Sequence, residues 1–372
     1  LLLRLLIING NGYIGLNIVK KFIEEKHSVT LIDKTQPCFI NKFNGKFFKY
    51  YNIDLISKEC KKIFDSSKFD VVLFLSDSLS PKDKNNLDKK YFSNIKKTTL
   101  QNRNLKNSKT IRTLSIKDIE NKVSIYDISG LVNILNLSAN SGVGKFILAV
   151  SSEIYGSINT EILTETSKLN PYTLEGISDH IMEYCTLKIS KKINIPVICA
   201  RITDVYGHSY SYISSDDLIS EVIEKMLKGL SVNISANANE NLNKDFIYID
   251  DAVDAIYKLT LDEKIRGIFN ISSGYSAQLN EVFNYIYDIF KLKEPNISNS
   301  FKEKNNLEFK PVISNEKITH TVDWTPKVNI TEGIKIVFEK KKELLNQKNV
   351  KDKKVKSKCQ KQKSLNTKGR IF

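Results

Sequence analysis

The sequence has few of the residues that build metal centres, disulfide frameworks or membrane spans. Five cysteines and four histidines are spread over 372 residues, and no two cysteines have CxxC spacing. This pattern argues against structural zinc and disulfides and is typical of a reducing compartment. No apolar run reaches the roughly 18 residues that a membrane span requires. We therefore expect a cytoplasmic protein without a metal site, although a chain that begins with Leu1 leaves organelle targeting open.

The net charge of +15 is unevenly distributed along the chain. Residues 82–125 hold 12 Lys or Arg against 4 Asp or Glu, and residues 339–372 hold 13 against 3. The remaining 32 basic and 35 acidic residues leave the rest of the chain at −3. The composition of the two basic segments favours a disordered insert and a solvated tail. A protein that binds polyanions through them is the alternative, and we predict no specific nucleic-acid partner.

The N-terminal residues carry the pattern of a dinucleotide-binding β-turn-α-β unit. The apolar run Leu5–Ile8 leads into Gly10-x-Gly12-x-x-Gly15 and then into a helical pattern. A second apolar run ends at Asp33, 18 residues after Gly15. Glycines at these positions let a pyrophosphate approach the backbone at a helix N-terminus, and a carboxylate at this spacing binds the adenosine ribose. We predict NAD as the cofactor, because Asp33 would repel the 2′-phosphate of NADP.

Strand-like apolar runs alternate with helical patterns as far as residue 205. The runs lie at 5–8, 29–32, 47–55, 70–75, 145–150 and 196–201. Such alternation predicts an α/β fold with a Rossmann-type, doubly wound parallel sheet, whose ligands bind at the carboxyl ends of the strands. Farther along we predict helices at 216–228, 251–261, 278–290 and 331–345, and short strands near 231–234, 246–249 and 268–271.

These patterns divide the chain into three predicted parts. Residues 1–205 form an NAD-binding Rossmann domain that carries the basic, disordered insert 82–125. Residues 206–338 form a smaller C-terminal α/β substrate-binding domain, and residues 339–372 form a basic tail.

Further motifs follow in an order that resembles one known enzyme family. They are Asp54-Leu55, Ser151-Ser152-Glu153-Ile154-Tyr155-Gly156, Pro171-Tyr172, Arg201 with Val205-Tyr206-Gly207, Lys244-Asp245-Phe246-Ile247-Tyr248-Ile249-Asp250-Asp251, Phe269-Asn270-Ile271 and Asp323-Trp324-Thr325-Pro326-Lys327. Together with the glycine motif they resemble the extended short-chain dehydrogenases/reductases, in the nucleotide-sugar epimerase/dehydratase group. The resemblance implies a tightly held NAD that oxidises a sugar C4 hydroxyl. Epimerisation, dehydration or decarboxylation of the 4-keto sugar then follows.

The resemblance also implies roles for single residues. Tyr172 would be the base, Ser151 or Ser152 would hold the sugar hydroxyl, and Glu153 matches the acid of the dehydratase and decarboxylase branches. The implied cofactor contacts are Gly10, Gly12, Tyr13, Ile14, Gly15, Asp33, Asp54 and Leu55. The candidate substrate contacts are Lys244, where the family usually has arginine, Asp204, where it often has asparagine, and Arg201, for which a structural role stays open. The implied partners are a nucleotide sugar and a second copy of the chain in a homodimer.

The Tyr-x-x-x-Lys motif of that family is broken here. Free tyrosine has a pKa near 10, so only about one in a thousand is ionised at pH 7. The lysine one helical turn later would lower that pKa. Gly176 occupies the lysine position, and an alignment shifted by one places Glu175 there. A literal match at Tyr184 and Lys188 starts 12 residues later, about 18 Å along a helix.

Two hypotheses follow from the missing lysine. In the first, the protein is an enzyme in which another residue takes over the role of the lysine. In the second, it is a non-catalytic relative that binds NAD or a nucleotide sugar.

Overall fold

The computed structural model describes residues 2–34, 47–76, 125–156, 158, 160–208, 217–230, 243–290 and 311–346. The predicted disorder of the insert up to residue 124, the predicted strand at 231–234 and the tail beyond residue 346 lie outside these ranges. In the described part of the chain, no helix has both the length and the apolar character to cross a bilayer.

Strands and helices alternate in the first part of the chain, as the sequence predicts. The elements are β1 (Arg4–Ile8), α1 (Tyr13–Glu24), β2 (Ser28–Asp33), β3 (Phe48–Asn52), α2 (Lys58–Ser66), β4 (Val71–Leu75), α3 (Ile125–Asn140), β5 (Lys145–Ser151), a 3-10 turn (Ser152–Tyr155), β6 (Ile162–Leu163), α4 (Leu174–Ile193) and β7 (Val197–Ile202). The third strand, Phe48–Asn52, is shorter than the predicted run at 47–55.

Shorter, mixed elements follow β7. They are β8 (Asp204–Tyr206), α5 (Leu218–Leu227), β9 (Asn243–Tyr248), α6 (Ile249–Leu261), β10 (Gly267–Ile271), β11 (Ser276–Gln278), α7 (Leu279–Phe290), β12 (Val312–Ile313), α8 (Glu316–Val322) and a helix α9 at 330–346. Four of these helices, α5, α6, α7 and α9, lie within two residues of the predicted bounds.

Seven strands form one parallel sheet in the order β10-β7-β5-β4-β1-β2-β3. The chain leaves β1 towards β3 on one side and returns through β4 towards β7 on the other. The carboxyl ends of β1 and β4 therefore flank the switch point at which such sheets bind ligands. This arrangement confirms the predicted Rossmann-type, doubly wound fold.

One strand lies in a different sheet from the one predicted. The run at 268–271 was expected among the short elements beyond residue 205, but it forms β10 and pairs with β7, with Phe269 opposite Ala200. Phe269 and Ile271 are fully buried there, so the large sheet gains apolar burial that a small surface sheet would not supply. Two smaller sheets, β8-β9-β11 and β6-β12, complete the fold, and the domain boundary at 205 stays a prediction.

The large sheet separates two apolar cores. Side chains alternate between them along β1, since Leu5 and Ile7 belong to the core on one face and Leu6 and Ile8 to the core on the other. Helices α1 and α6 pack together on the first face, and α3 and α4 pack together on the second. Trp324 joins the first core with 1% exposure.

A buried ion pair fastens β7 to α4. Arg201 donates from Nε to Glu183 Oε2 at 2.8 Å and from Nη2 to Oε1 at 2.6 Å, and both side chains are at most 4% exposed. Arg201 Nη1 donates to the Tyr155 hydroxyl at 3.0 Å, and that hydroxyl donates to Asn270 Oδ1 on β10 at 2.6 Å. These contacts satisfy a buried guanidinium and connect four elements of the fold, namely β7, α4, the 3-10 turn and β10.

Removing one partner of this pair should destabilise the protein strongly. Arg201→Met would leave Glu183 as a buried carboxylate without its cation, and we expect the free energy of unfolding to fall by about 3–5 kcal/mol. Urea denaturation measures the change. The control is Lys61→Met, which breaks the exposed helical pair with Asp65 and should change stability little. Equal losses in the two variants would contradict the prediction.

His27 is a buried histidine that connects the start of β1 to helix α6. Its ring is 3% exposed. Nδ1 accepts a hydrogen bond of 3.0 Å from the Leu3 N–H, and Nε2 lies 3.4 Å from the Tyr257 hydroxyl. Burial lowers the pKa of His27, and the nearby Glu25 carboxylate opposes the shift only in part. The folded state therefore favours the neutral ring.

This lowered pKa gives stability a definite pH dependence. The stabilisation is complete above the unfolded-state pKa of about 6.5 and is lost as the pH falls through the lower folded-state pKa. We expect the free energy of unfolding to decrease from about pH 7.5 to about pH 5, and His27→Gln to reduce the decrease. Thermal unfolding at a series of pH values tests this, with His320→Gln, at an exposed histidine, as the control. An identical pH dependence in wild type and His27→Gln would refute it.

Candidate active site

The loop after β1 brings the predicted phosphate-binding glycines to the N-terminus of α1. Gly12 is the N-cap residue of α1, and Tyr13 and Ile14 begin the first turn. A Cβ atom added to Gly15 would lie 2.5 Å from the Cα and carbonyl oxygen of Gly10. Loop and helix therefore approach each other as only glycine permits. The first-turn N–H groups have no helical acceptor, and such groups bind pyrophosphates.

Asp33 ends β2 beside this loop. Its side chain is 7% exposed, and its Oδ2 accepts a hydrogen bond of 2.9 Å from the Asn11 N–H. Asn52 pairs with Asp33 across the sheet, so Asp54 and Leu55 follow two and three residues later at the same edge. The exposed Asp54 and the buried Leu55 form the turn before α2.

A dinucleotide fits these residues. The glycine cradle has no room for side chains, the helix N-terminus carries a partial positive charge for the pyrophosphate, and the Asp33 carboxylate lies where an adenosine ribose would be bound. Asp54 and Leu55 extend the same edge towards the adenine position that the sequence resemblance implies. Among the described residues, no cluster of three or more His, Cys, Asp or Glu side chains could hold a metal ion.

The carboxyl end of β5 carries the predicted hydroxyl and acid residues. Ser151 caps the following 3-10 turn, since its Oγ accepts a hydrogen bond of 3.2 Å from the Glu153 N–H. Ser152 begins that turn and is half-buried. The fully buried Asp179 of α4 accepts a 2.8 Å hydrogen bond from the Ser151 N–H and another from the Ser76 hydroxyl after β4. One carboxylate thus ties together the ends of two neighbouring strands.

Thr173, which follows Tyr172 in the chain, contacts Glu153 and so brings the backbone at Tyr172 close to this acid. Thr173, the N-cap residue of α4, donates from Oγ1 to Glu153 Oε2 at 2.9 Å and accepts a hydrogen bond from the Gly176 N–H at 3.0 Å. The Tyr172 side chain itself is 65% exposed. The predicted base therefore lies at an open edge, beside the acid from the end of β5.

The packing at Gly176 explains why no lysine stands at that position. A Cβ atom added to Gly176 would lie 2.5 Å from the Glu153 carbonyl oxygen and 3.0 Å from the carbonyl carbon. At Gly176, the backbone of the first turn of α4 therefore packs directly against the backbone of the turn after β5, without room for a side chain. The literal match is no substitute, because Tyr184 and Lys188 are exposed and pack on each other, with Nζ 5.3 Å from the ring centroid.

Lys244 and Asp204 form an ion pair at the same edge. Lys244 Nζ donates to Asp204 Oδ1 at 2.7 Å, and the side chains are 24% and 40% exposed. Burial works against the charged form of Lys244, but the Asp204 carboxylate, together with Glu153 and Tyr172, raises the pKa of Lys244 above the ordinary lysine value. The structure thus brings two of the three predicted substrate contacts close to the predicted catalytic residues.

The third predicted substrate contact, Arg201, is not available to a ligand. Its side chain is 2% exposed and is held by Glu183 and Tyr155. We therefore correct the substrate-binding assignment of Arg201 to a structural one. The residue that sequence reasoning missed is Asp179, because a carboxylate within a helical pattern carries no signal of burial.

Comparison with known proteins finds a family model that matches part of the chain and relatives that match most of its length. A family model described as the NAD dependent epimerase/dehydratase family matches residues 116–272. The putative UDP-glucose 4-epimerase of Methanocaldococcus jannaschii is 25% identical over 336 residues, which cover 90% of this chain and 96% of that protein. The chain is similar to members of the NAD-dependent epimerase/dehydratase family. This similarity agrees with the resemblance found in the sequence.

Two further proteins are similar to this chain over most of its length. The dTDP-D-glucose 4,6-dehydratase of Mus musculus is 22% identical over 356 residues, covering 90% of this chain and 88% of that protein. The UDP-glucuronic acid 4-epimerase from Bacillus cereus, crystallised with UDP-glucuronic acid and NAD, has the same fold with a TM-score of 0.70 and 19% identity. That match covers 92% of this chain and 99% of the other.

Restoring the family's lysine at Gly176 should fail. Gly176→Lys and Gly176→Ala both add a Cβ against the Glu153 carbonyl, and we expect each to lower the free energy of unfolding by about 1–3 kcal/mol. Chemical denaturation measures this loss. Glu175→Lys is the matched control, because it adds the charge one residue earlier without a new Cβ. Gly176→Lys with wild-type stability would show that the contact is not a constraint.

Proposed function

We propose that this protein is an NAD-dependent enzyme that modifies a nucleotide sugar through a 4-keto intermediate. The observation that carries the proposal is the convergence of Ser151, Glu153 and Tyr172 at one edge of the sheet. Thr173 joins the last two through its hydrogen bond to Glu153. The support from relatives is that they are named as 4-epimerases, 4,6-dehydratases and decarboxylases of nucleotide sugars.

The side chains have complementary tasks in such a reaction. The glycine loop and Asp33 would hold NAD, which would supply a hydride acceptor for the sugar C4 and, in those branches that end without net oxidation, the hydride that returns. Tyr172 takes the proton of the C4 hydroxyl as the carbonyl forms, and the Ser151 or Ser152 hydroxyl holds the same oxygen. The 4-keto group acidifies the neighbouring C5–H, and Glu153 is the candidate group for moving a proton there.

Glu153 favours the dehydratase or decarboxylase branch, which requires a dedicated acid or base near C5. The 4-epimerase branch is the second candidate, because two of the similar proteins carry that name. A non-catalytic role is not favoured, since the named relatives are enzymes. The observation in favour of a non-catalytic role is that glycine occupies position 176, where the family has a lysine.

The assembly and the location of the protein are also part of this proposal. We propose a homodimer and a cytoplasmic location, as the family resemblance and the scattered cysteines suggest. Light scattering of the purified protein tests the first of these. A monomer at micromolar concentration would contradict the homodimer.

The decisive experiment combines cofactor analysis with a substrate panel. Bound cofactor is released by denaturation and identified, and the native protein is incubated with UDP-, dTDP- and GDP-sugars. We expect NAD and turnover of at least one sugar, lost by a factor of about 100 or more in Tyr172→Phe. Tyr184→Phe, at an exposed tyrosine of helix α4, is the matched control and should retain turnover.

Two other outcomes would contradict the proposal. NAD binding without turnover of any sugar in the panel would support the non-catalytic alternative. Absence of NAD, together with no binding of added NAD, would contradict the function assigned to the glycine loop.

A further inference from the structure

The hydroxyl of Thr173 takes part in two hydrogen bonds of opposite direction. Its Oγ1 accepts the Gly176 N–H at 3.0 Å and so caps the first turn of α4. The same oxygen donates to Glu153 Oε2 at 2.9 Å. Because a threonine hydroxyl has a single hydrogen and an ionised carboxylate can only accept, that hydrogen points at Glu153. The cap of α4 is therefore also a donor to the candidate acid.

The Glu153 carboxylate depends on this contact for its direction. Within the part of the chain that the structure describes, Thr173 is its one hydrogen-bond partner, and no cation forms an ion pair with it. The side chain is half-buried, and without the contact it would sample several rotamers. Thr173 thus fixes Oε2, whereas Oε1 accepts no hydrogen bond from the described residues.

The backbone of Glu153 is fixed by the same part of the site. Its N–H donates to Ser151 Oγ at 3.2 Å, and its carbonyl packs against Gly176, where an added Cβ would lie 2.5 Å from the carbonyl oxygen. Thr173 also follows Tyr172 directly in the chain. The proposed base and the candidate acid are therefore joined through Thr173, by a peptide bond on one side and a hydrogen bond on the other.

We propose that Thr173 is a positioning residue for Glu153, which holds Oε2 so that Oε1 is the oxygen that moves the proton at the sugar C5. The proposal rests on the proposed function, in which Glu153 acts on the 4-keto sugar. The competing explanation is that Thr173 serves α4 as an N-cap only. The two roles make different demands on residue 173, because a cap needs an acceptor and the positioning of Glu153 needs a donor.

Three variants separate the acceptor from the donor. Thr173→Ser keeps both. Thr173→Asp keeps the cap, because aspartate is among the preferred N-cap residues, but its ionised carboxylate cannot donate to Glu153 and places a like charge beside it. Thr173→Val removes both.

The first readout needs no substrate. A double-mutant cycle in the full chain compares the urea unfolding of wild type, Thr173→Val, Glu153→Ala and the double variant. We expect the effects of the two single changes on the unfolding equilibrium constant to be non-additive by a factor of about five or more. Additive effects would overturn the proposal.

Turnover of a nucleotide sugar by the protein loaded with NAD provides the second readout. Thr173→Asp should lower kcat by about tenfold or more with little change in KM, and Thr173→Ser should have the kcat of wild type. Thermal unfolding checks that Thr173→Asp is folded at the assay temperature. A wild-type kcat in Thr173→Asp would overturn the proposal, because the cap alone would then be sufficient, and so would a change confined to KM.

The two readouts distinguish failure of this inference from failure of the proposed function. A protein that turns over no sugar would contradict the proposed function, whereas the double-mutant cycle would still give a result for Thr173. Thr173→Asp in place of Thr173→Val keeps the cycle measurable if the valine variant does not fold, since its helix remains capped. Additivity in that cycle would overturn the proposal in the same way.

Discussion

The contact between the backbone of Gly176 and the carbonyl of Glu153 sets the geometry of the candidate site. It brings the first turn of α4 so close to the turn after β5 that Thr173 can bind the Glu153 carboxylate. The same approach excludes any side chain from position 176, and with it the lysine expected of the family. Close packing at this point therefore leaves no room for a lysine at position 176, and it keeps the Glu153 carboxylate beside the segment that carries Tyr172. The Lys244 ammonium of β9, paired with Asp204, lies at the same edge of the sheet.

Buried polar groups, as well as apolar packing, determine where the site elements lie. Asp179 joins the ends of β4 and β5, and Arg201 joins β7 to α4 and, through Tyr155, to β10. A buried charge is tolerated only when its partners are in place. These bonds consequently specify one arrangement of α4 against the sheet, which apolar contacts alone would define less narrowly.

The sequence was sufficient for the parts of the fold that depend on apolar periodicity and glycine spacing. The first six strands of the large sheet, the glycine loop and Asp33 all follow local rules, and the structure has them where they were predicted, whereas β10 joined the sheet from the part of the chain beyond residue 205. Helix α4 shows the limit of such rules. Its buried residues are mostly small or polar, namely Gly176, Ser178, Asp179, Met182, Glu183, Thr186 and Ser190. The alternation of strands and helices therefore predicted this helix but not the face that it buries. The roles of Asp179 and Arg201 could not be predicted from the sequence.

The pairing of Lys244 with Asp204 spans 40 residues and depends on strand register, which a single sequence does not reveal.

The position of β10 has a consequence for how the chain reaches its native state. The chain leaves the large sheet after β7 and returns to it at Gly267, where β10 lies on the outer side of β7. During synthesis, β7 therefore remains an open edge until more than 60 further residues have been made. An unpaired strand edge is a template for association with other chains. A fragment that ends near residue 205 would keep this edge permanently, with Arg201 separated from the Asn270 side of its network. The cofactor-binding half of the molecule is in this sense completed by a strand from the other half.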